Sequence, residues 1–276
     1  MAVRQRPTRG APGQHFLRSS RLAAEFVRDA GIAPGELVVD VGAGSGVLTE
    51  ALRASGARVL ALELDAELAS ALRRRFAGRD VEIANADARR FAWPRERFSV
   101  VSNLPFAGSG EILASLLGDP STGLRQADVI VQWELAQKQA SIWPATMRAT
   151  YWRAWFEVTV VGRLSRHAFA PPPGVDAAVL RIARRPSPLV PLATHGDYRR
   201  FLADAFEARA PLRRALRDHV SPRELRRLAA VLGFDPAAYP RDLDARQWAG
   251  VFAYAGARSG GARPRSRSRG RARSGG

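Results

Sequence analysis

The chain is poor in the residues on which redox and metal chemistry depend. Its 276 residues include no cysteine and only four histidines. The absence of cysteine excludes disulfides, thiolate metal sites and cysteine nucleophiles. The histidines are scattered along the chain, which argues against a catalytic metal. We therefore expect no metal cofactor.

The sequence also lacks a long apolar run and a recognisable export signal. No apolar stretch approaches the roughly 18 residues of a membrane span, and the N-terminus has no apolar segment followed by a cleavage site. These absences predict no membrane association and a cytoplasmic protein. Hydrophobic residues still make up 46% of the chain, enough for a folded core. The length suggests one large domain and a smaller one.

Acidic residues are few, and the resulting charge is concentrated at the two ends. The chain has 43 Lys+Arg against 26 Asp+Glu, a net charge of +17. Residues 1–21 contain five arginines and residues 258–276 contain seven, without any acid in either segment. We expect a basic flexible arm over residues 1–12 and a disordered Arg/Gly/Ser-rich tail over residues 257–276. Such ends either bind phosphates or merely aid solubility; overall, the charge favours a nucleic-acid partner.

Between these ends, helical and buried-strand patterns alternate. Apolar runs predict strands at residues 37–41, 59–63, 81–84, 98–102 and 129–133. This alternation predicts an α/β fold with a doubly wound, mostly parallel sheet. Two later runs, residues 155–164 and 175–182, have no helix between them and should pair antiparallel at the sheet edge. After a proline-rich linker only helical patterns follow, so we predict domains over residues 13–185 and 186–256, the second all-helical.

A glycine-rich turn follows the first long strand, in the segment Asp40-Val-Gly-Ala-Gly-Ser-Gly46. Val47 stands where a dinucleotide fingerprint would have its third glycine. Glu63 ends the next strand, where its carboxylate can accept both hydroxyls of a ribose. Asp87 follows the third strand and can accept from an adenine amino group, although either acid alone could be a solvated strand end or helix cap. Together they favour an adenosyl ligand without a pyrophosphate, S-adenosylmethionine rather than a nicotinamide cofactor.

The segment Asn103-Leu-Pro-Phe106 suits a reaction at the exocyclic nitrogen of adenine. The Asn103 side-chain oxygen and the Leu104 carbonyl could both accept hydrogen bonds from this amino group. Pro105 holds Leu104 in extended geometry, and Phe106 offers a face on which a base taken out of its helix can stack. Positioning for transfer then supplies most of the rate effect. Taken alone, the segment would rather indicate a strand-terminating turn with a core phenylalanine, but it stands beside the cofactor pattern.

These segments, with two others, resemble the rRNA adenine N6-methyltransferases. The matching segments are Gly13–Leu17, Val41–Gly46, Glu63–Asp65, Asp87, Asn103–Phe106 and Phe169–Asp176. The superfamily comprises the Erm enzymes, which act on 23S rRNA, and the KsgA-type dimethyltransferases, which act on small-subunit rRNA. The resemblance spans about residues 13–254. It implies a class I S-adenosylmethionine-dependent methyltransferase with a Rossmann-like fold.

The resemblance also implies roles for individual residues. The implied cofactor-binding set is Gln14, His15, Leu17, Gly42, Gly44, Glu63, Asp87, Ala88 and Asn103. The implied catalytic set around the target base is Asn103, Leu104, Pro105, Phe106 and Phe169. In this scheme Gln14 and the glycine turn lie beside the methionine portion of the cofactor, and Phe169 closes on the second face of the base.

Several features resemble the Erm branch in particular. They are the segment 131–138, the tryptophan-rich segment 143–155, phenylalanine at Phe106 and the basic C-terminal extension, whereas residues 211–216 resemble the KsgA type. The resemblance therefore implies methylation of one adenine in 23S rRNA, with resistance to macrolide, lincosamide and streptogramin B antibiotics. A KsgA-type dimethyltransferase and a non-catalytic nucleic-acid-binding relative are the alternatives. DNA adenine methylation is less favoured, because such enzymes usually carry a second proline where Leu104 stands.

The predicted partner is 23S rRNA, bound by a monomer. Arg213, Arg214 and Arg217 lie close together in the helical segment and could contact rRNA phosphates. The alternative is a solvated face whose charge is balanced by Asp218 and Glu224. We also expect most of the tryptophans in residues 143–155 to belong to the core.

Overall fold

The computed structural model describes residues 15–141 and 146–259. The strands are β1 (Phe16–Leu17), β2 (Leu37–Val41), β3 (Arg58–Glu63), β4 (Val81–Asn85), β5 (Phe98–Asn103), β6 (Leu124–Gln132), β7 (Phe156–Leu164), β8 (Phe169–Ala170) and β9 (Ala177–Arg184). The helices are α1 (Ser20–Asp29), α2 (Val47–Ala54), α3 (Ala66–Arg75), α4 (Ser109–Leu117), α5 (Trp133–Ala140), α6 (Met147–Trp152), α7 (His195–Glu207), α8 (Leu212–Ala215), α9 (Pro222–Leu232) and α10 (Ala245–Ser259).

The central sheet has the strand order β4-β3-β2-β5-β6-β9-β7. The pairs from β4 to β6 are parallel, whereas β9 pairs antiparallel with both β6 and β7. The predicted fold class and the antiparallel edge are therefore confirmed. The order of the parallel strands reverses at β2, so a crevice opens beyond the carboxyl ends of β2 and β5.

Strand β6 begins earlier than the apolar pattern indicates. The run that predicts this strand starts at Val129, but the strand starts at Leu124 and Trp133 already begins α5. The added residues include Asp128, which is only 1% exposed. Its carboxylate lies 2.7 Å from the guanidinium of Arg181 on β9. A buried acid that pairs with the neighbouring strand thus interrupts the apolar pattern, so hydrophobicity alone does not reveal the first part of β6.

The largest hydrophobic core cluster joins one face of the sheet to the C-terminal helices. Trp155, Tyr198 and Trp248 belong to this cluster and are each at most 2% exposed. Trp152 is also buried, so the expectation of core tryptophans is confirmed for Trp152 and Trp155, whereas Trp143 lies outside the described residues.

The proline-rich linker after β9 is tied to the body of the protein. The amide of Leu189 donates to the carbonyl of Ala154 at 2.8 Å. The sheet and the C-terminal helices thus share one core, and their division into two domains stays a prediction. Helix α10 continues to Ser259, past the predicted domain end at residue 256. The predicted N-terminal arm and the tail beyond residue 259 lie outside the described residues. No helix in the described part of the chain is long and apolar enough to span a membrane.

Candidate active site

A cavity of about 220 Å³ lies at the carboxyl ends of β2, β3, β4 and β5. It occupies the crevice that the reversal of strand order predicts. Among its lining residues are His15, Gly42, Gly44, Glu63, Asp87, Ala88, Asn103, Leu104, Pro105 and Phe106. The structure therefore brings together most of the residues predicted for the cofactor and for the target base.

The glycine turn forms a closely packed wall of this cavity. Gly42 and Gly44 have φ values of +69° and +54°, a region that glycine adopts without strain. A β-carbon at Gly44 would overlap the ring of Phe16 and would lie 2.9 Å from its Cδ1 atom. Phe16, which also lines the cavity, was missed by the sequence reasoning. Its position beside His15 in a matched motif is the signal that could have identified it.

Glu63 is held in place by the main chain at the end of β3. Its carboxylate accepts from the amide of Gly44 at 2.8 Å and from the amide of Asp65 at 3.0 Å. The residue is only 4% exposed. Each carboxylate oxygen can still accept another hydrogen bond. Glu63 thus lines the cavity with acceptor capacity to spare, and its contact with a ribose stays a prediction.

Asp87 is paired with an arginine that the sequence reasoning did not consider. Its carboxylate accepts from the main-chain amide of Arg89 at 2.9 Å and from the Arg89 guanidinium at 2.7 Å. These hydrogen bonds lower the pKa of Asp87 to about 2. Ala88, also predicted to lie against the adenine ring, is 7% exposed beside this pair.

Asn103 ends β5 with one polar atom engaged and the other unpaired. Its Nδ2 donates to the carbonyl of His15 at 2.7 Å. Its Oδ1 is buried and has no hydrogen-bond partner among the described residues. Because Nδ2 is already bonded, Oδ1 is the atom that can accept from a bound group. A buried acceptor without a partner usually marks a missing ligand or water.

Two hydrogen bonds hold the main chain of the residues that follow Asn103. The amide of Leu104 donates to the carbonyl of Ile130 on the neighbouring strand at 3.1 Å. The carbonyl of Pro105 accepts from the hydroxyl of Ser109 at 2.6 Å. Ser109 begins α4 and is 1% exposed. The sequence reasoning missed Ser109, although a small polar residue just after the motif could have indicated such a contact.

The structure corrects the expected position of Phe169. Its ring is completely buried and is absent from the cavity wall. It packs edge-on against Phe106, with a centroid distance of 6.0 Å and an interplanar angle of 67°. The cause is the pairing of β8 with β1, which places Phe169 opposite Leu17 behind Phe106. The ring that faces Phe106 from the cavity side is His15, at a centroid distance of 5.3 Å.

A small recess adjoins the main cavity and contains a buried acid. It is lined in part by Leu17, Asp40, Gly42 and Asn103. Leu17 thus borders this recess rather than the main cavity. Asp40 is 1% exposed and accepts from the hydroxyl of Thr49 at 2.7 Å. Burial, with a smaller contribution from the nearby charge of Glu63, raises the pKa of Asp40 to about 7.

The other predicted site residues lie away from this cavity or outside the described residues. Gln14 belongs to the second group. Arg213 and Arg214 are exposed on α8, and Arg217 lies 3.7 Å from Asp218. The side chain of Glu224 forms a capping box with Ser221 at the start of α9, and its balancing role stays a prediction.

The donor set of the cavity suits S-adenosylmethionine. The glycine turn provides a close main-chain approach, Glu63 can accept from a ribose, and Asn103 Oδ1 lacks a partner. Within residues 15–141 and 146–259, no group of three or more histidines or acids could hold a metal ion.

Comparisons with known proteins identify relatives over most of the chain. A sequence model described as ribosomal RNA adenine dimethylase matches residues 8–255. The chain is 33% identical to an rRNA adenine N-6-methyltransferase of Bacillus licheniformis, over 87% of this chain and 84% of that protein. It is 34% identical to the mycinamicin-resistance protein MyrB of Micromonospora griseorubida, over 87% of this chain and 76% of that protein.

The other branch of the superfamily is also represented. Identity to the ribosomal RNA small subunit methyltransferase A of a Synechococcus strain is 32%, over 86% of this chain and 88% of that protein. Among solved structures, the 23S rRNA methyltransferase ErmE matches with a TM-score of 0.74 and 26% identity, over 87% of this chain and 99% of ErmE. The chain therefore belongs to the ribosomal RNA adenine dimethylase family of S-adenosylmethionine-dependent rRNA adenine N6-methyltransferases.

Proposed function

We propose that this enzyme transfers the methyl group of S-adenosylmethionine to N6 of one specific adenine in 23S rRNA and thereby gives resistance to macrolide, lincosamide and streptogramin B antibiotics. The observation that carries the chemical part is the buried, unpaired Oδ1 of Asn103 in the wall of the cavity. It acts in the cytoplasm as a monomer.

The reaction needs the target amino group to be held rather than deprotonated. The lone pair of N6 is delocalised into the adenine ring, so the group is a poor nucleophile. Hydrogen bonds to Asn103 Oδ1 and the Leu104 carbonyl would orient both N–H bonds and direct the lone pair towards the methyl donor. The bond from Asn103 Nδ2 to His15 keeps the oxygen available, and Ser109 fixes the following carbonyl. Such positioning is a major source of rate enhancement.

Because Phe169 is buried behind Phe106, we expect the target base to stack on Phe106 alone. Phe106 lies in the cavity wall and offers a face for stacking, while the His15 ring stands close to it on the same side. Phe169 supports Phe106 from behind. Stacking on one ring still contributes on the order of 1–3 kcal/mol for a flipped base.

The choice of 23S rRNA is supported by relatives of the Erm type. The match to ErmE covers nearly all of that structure, and the relative MyrB is named for resistance to mycinamicin. A KsgA-type reaction on small-subunit rRNA is the second candidate, because identity to a methyltransferase of that type is 32%. We assign Arg213, Arg214 and Arg217 to phosphate contacts with the RNA, since the first two are exposed without a described salt bridge.

The deciding experiment is methylation of unmodified 23S and 16S rRNA in separate reactions, with the modified nucleotide mapped by primer extension. The proposal predicts a single stop in 23S rRNA that requires S-adenosylmethionine. The Asn103→Ala variant should lose this stop while retaining the fold. A stop only in 16S rRNA would establish the KsgA-type alternative instead. Resistance is tested separately, by measuring macrolide tolerance of cells that express the wild-type protein or Asn103→Ala.

A further inference from the structure

Arg89 borders two cavities that meet at the active site. It lines the cofactor cavity next to Asp87. It also lines a neighbouring groove of about 460 Å³, whose wall is formed by Arg89, Arg90, Glu111, Ala114, Ser115 and Arg148. A single side chain can therefore point into either cavity after rotation about its own bonds.

In the cofactor cavity, Arg89 occupies the acceptor positions of Asp87. Oδ1 accepts from the main-chain amide and from Nε of Arg89, both at 2.9 Å. Oδ2 accepts from Nε at 3.1 Å and from Nη2 at 2.7 Å. A carboxylate has about four acceptor positions. The three N–H groups of Arg89 therefore take most of these positions, and an adenine amino group must compete with the Arg89 guanidinium for Asp87.

The groove on the other side of Arg89 has the charge of a phosphate site. Arg90 and Arg148 are exposed, and neither forms a salt bridge with a described residue. Glu111 on α4 is the acid among the groove residues, and its charge attracts Arg89. With Arg89 included, the wall carries three guanidinium groups, which suit phosphate oxygens.

This groove also lies close to the place of the target base. Glu111 stands one turn into α4, which begins just after Phe106, and its Oε2 lies beside Gly108. Gly108 in turn lines the active-site cavity. A nucleotide whose base reaches Phe106 would therefore have its backbone near the groove.

We propose that Arg89 links cofactor binding to RNA binding: it pairs with Asp87 while the adenine site is empty, and turns into the groove beside Arg90 and Arg148 to bind a backbone phosphate next to the target nucleotide once the cofactor's adenine takes Asp87. This inference rests on the proposed rRNA substrate. The rotation costs little, because an ion pair at the protein surface is weak. By linkage, the cofactor should strengthen RNA binding and the RNA should strengthen cofactor binding by the same factor.

The first test uses the full-length protein without RNA. S-Adenosylhomocysteine, which shares the adenine group, is titrated calorimetrically into the wild type, Arg89→Gln and the control Arg97→Gln. Arg97 is exposed just before β5, at the opposite end of the strand from the site. Arg89→Gln should bind about two- to fivefold more tightly than the wild type, the range expected for removing an exposed competing ion pair. Arg97→Gln should match the wild type. Equal or weaker binding by Arg89→Gln would overturn the proposal.

The second test measures filter binding of unmodified 23S rRNA transcript with and without saturating S-adenosylhomocysteine. In the wild type and Arg97→Gln, the cofactor product should tighten RNA binding about two- to fivefold. In Arg89→Gln this tightening should disappear. Arg148→Gln should weaken RNA binding under both conditions without changing the affinity for S-adenosylhomocysteine. A cofactor effect that persists in Arg89→Gln would contradict the link.

Failure of the proposed rRNA substrate can be told apart from failure of this inference. If the wild type methylates only 16S rRNA, the filter-binding test is run with that RNA under the same criteria. The calorimetric test does not involve RNA. The role of Arg89 is thus judged independently of which rRNA is modified.

Discussion

The ring of Phe16 occupies the space that a β-carbon at Gly44 would need. Phe16 lies in the short strand β1, which is fixed by antiparallel pairing with β8. Gly44 in turn donates its amide to the carboxylate of Glu63. The segment before α1 therefore packs against the turn that holds Glu63, and the wall of the cavity depends on residues far apart in the chain.

The variant Gly44→Ala should lose cofactor binding. The added methyl group must displace Phe16 or shift the turn, and alanine is strained at a φ of +54°. We expect at least a tenfold weaker affinity for S-adenosylhomocysteine and a loss of stability of about 1–3 kcal/mol. Calorimetric titration and urea unfolding measure the two effects.

A matched control for this variant is Gly196→Ala. Gly196 lies in α7, and a β-carbon there would meet nothing within 4 Å. Because alanine favours helices over glycine, this substitution should be neutral or stabilise the protein by up to about 1 kcal/mol. Normal cofactor affinity in Gly44→Ala would show that the turn tolerates a side chain and that the Phe16 ring moves aside.

The buried acid Asp40 should make stability depend on pH. Its pKa is raised to about 7 by burial, whereas an unfolded aspartate titrates near pH 4. Between these values the folded state holds a proton that the unfolded state has lost. The free energy of unfolding should therefore fall as pH rises from about 4 to 7, by up to about 4 kcal/mol, and level off above that range.

The variant Asp40→Asn isolates this contribution. Asparagine retains an oxygen for the hydrogen bond from Thr49 but does not ionise. Relative to wild type, its free energy of unfolding should improve by about 2–3 kcal/mol between pH 5 and pH 8, measured by urea denaturation. The exposed Asp29→Asn variant serves as control. Parallel pH profiles for wild type and Asp40→Asn would refute the buried charge as the cause.

The site residues at the strand ends could be predicted from the sequence, but the hydrogen bonds that their side chains form could not. Gly42, Glu63, Asp87 and Asn103 could be predicted because each follows an apolar run, and parallel strands bring their carboxyl ends to one edge. The pairing of Asp87 with Arg89 could not, since an arginine two residues away is common on any exposed loop.

The aromatic residues around the base show the same limit. The resemblance implies that Phe169 closes on the second face of the base, whereas in the structure its ring packs directly against Phe106. It does not indicate which ring faces the cavity, because that depends on the pairing of β1 with β8, two strands of only two residues each. Such short strands leave no periodic pattern in the sequence.

Ser109 should act as a positioning residue for the target base. Its hydroxyl donates to the carbonyl of Pro105, between Leu104 and Phe106 in the chain. In Ser109→Ala this carbonyl is freed, and a small displacement of the neighbouring groups should lower kcat about tenfold or more. Affinity for S-adenosylhomocysteine should stay within about twofold, since the cofactor contacts are untouched.

Single-turnover methylation and calorimetry separate these two effects for Ser109→Ala. The control is Ser70→Ala on α3, whose hydroxyl accepts from the exposed Arg74. This variant should behave as wild type in both measurements. If cofactor affinity falls in proportion to kcat, the serine supports the fold of the whole cavity rather than the presentation of the base.

The basic C-terminal segment should contribute affinity but not selectivity. Helix α10 runs to Ser259, so a deletion that spares it removes residues 260–276, which carry six arginines and no acid. If these arginines contact phosphates, the deletion should weaken rRNA binding and reduce the slope of log affinity against log salt by up to about 4. The modified adenine should be unchanged, because in the proposed function the cavity around Asn103 selects the base. Filter binding over a salt series measures the slope, and primer extension maps the product. A truncated enzyme that methylated a different nucleotide would assign selectivity to the tail.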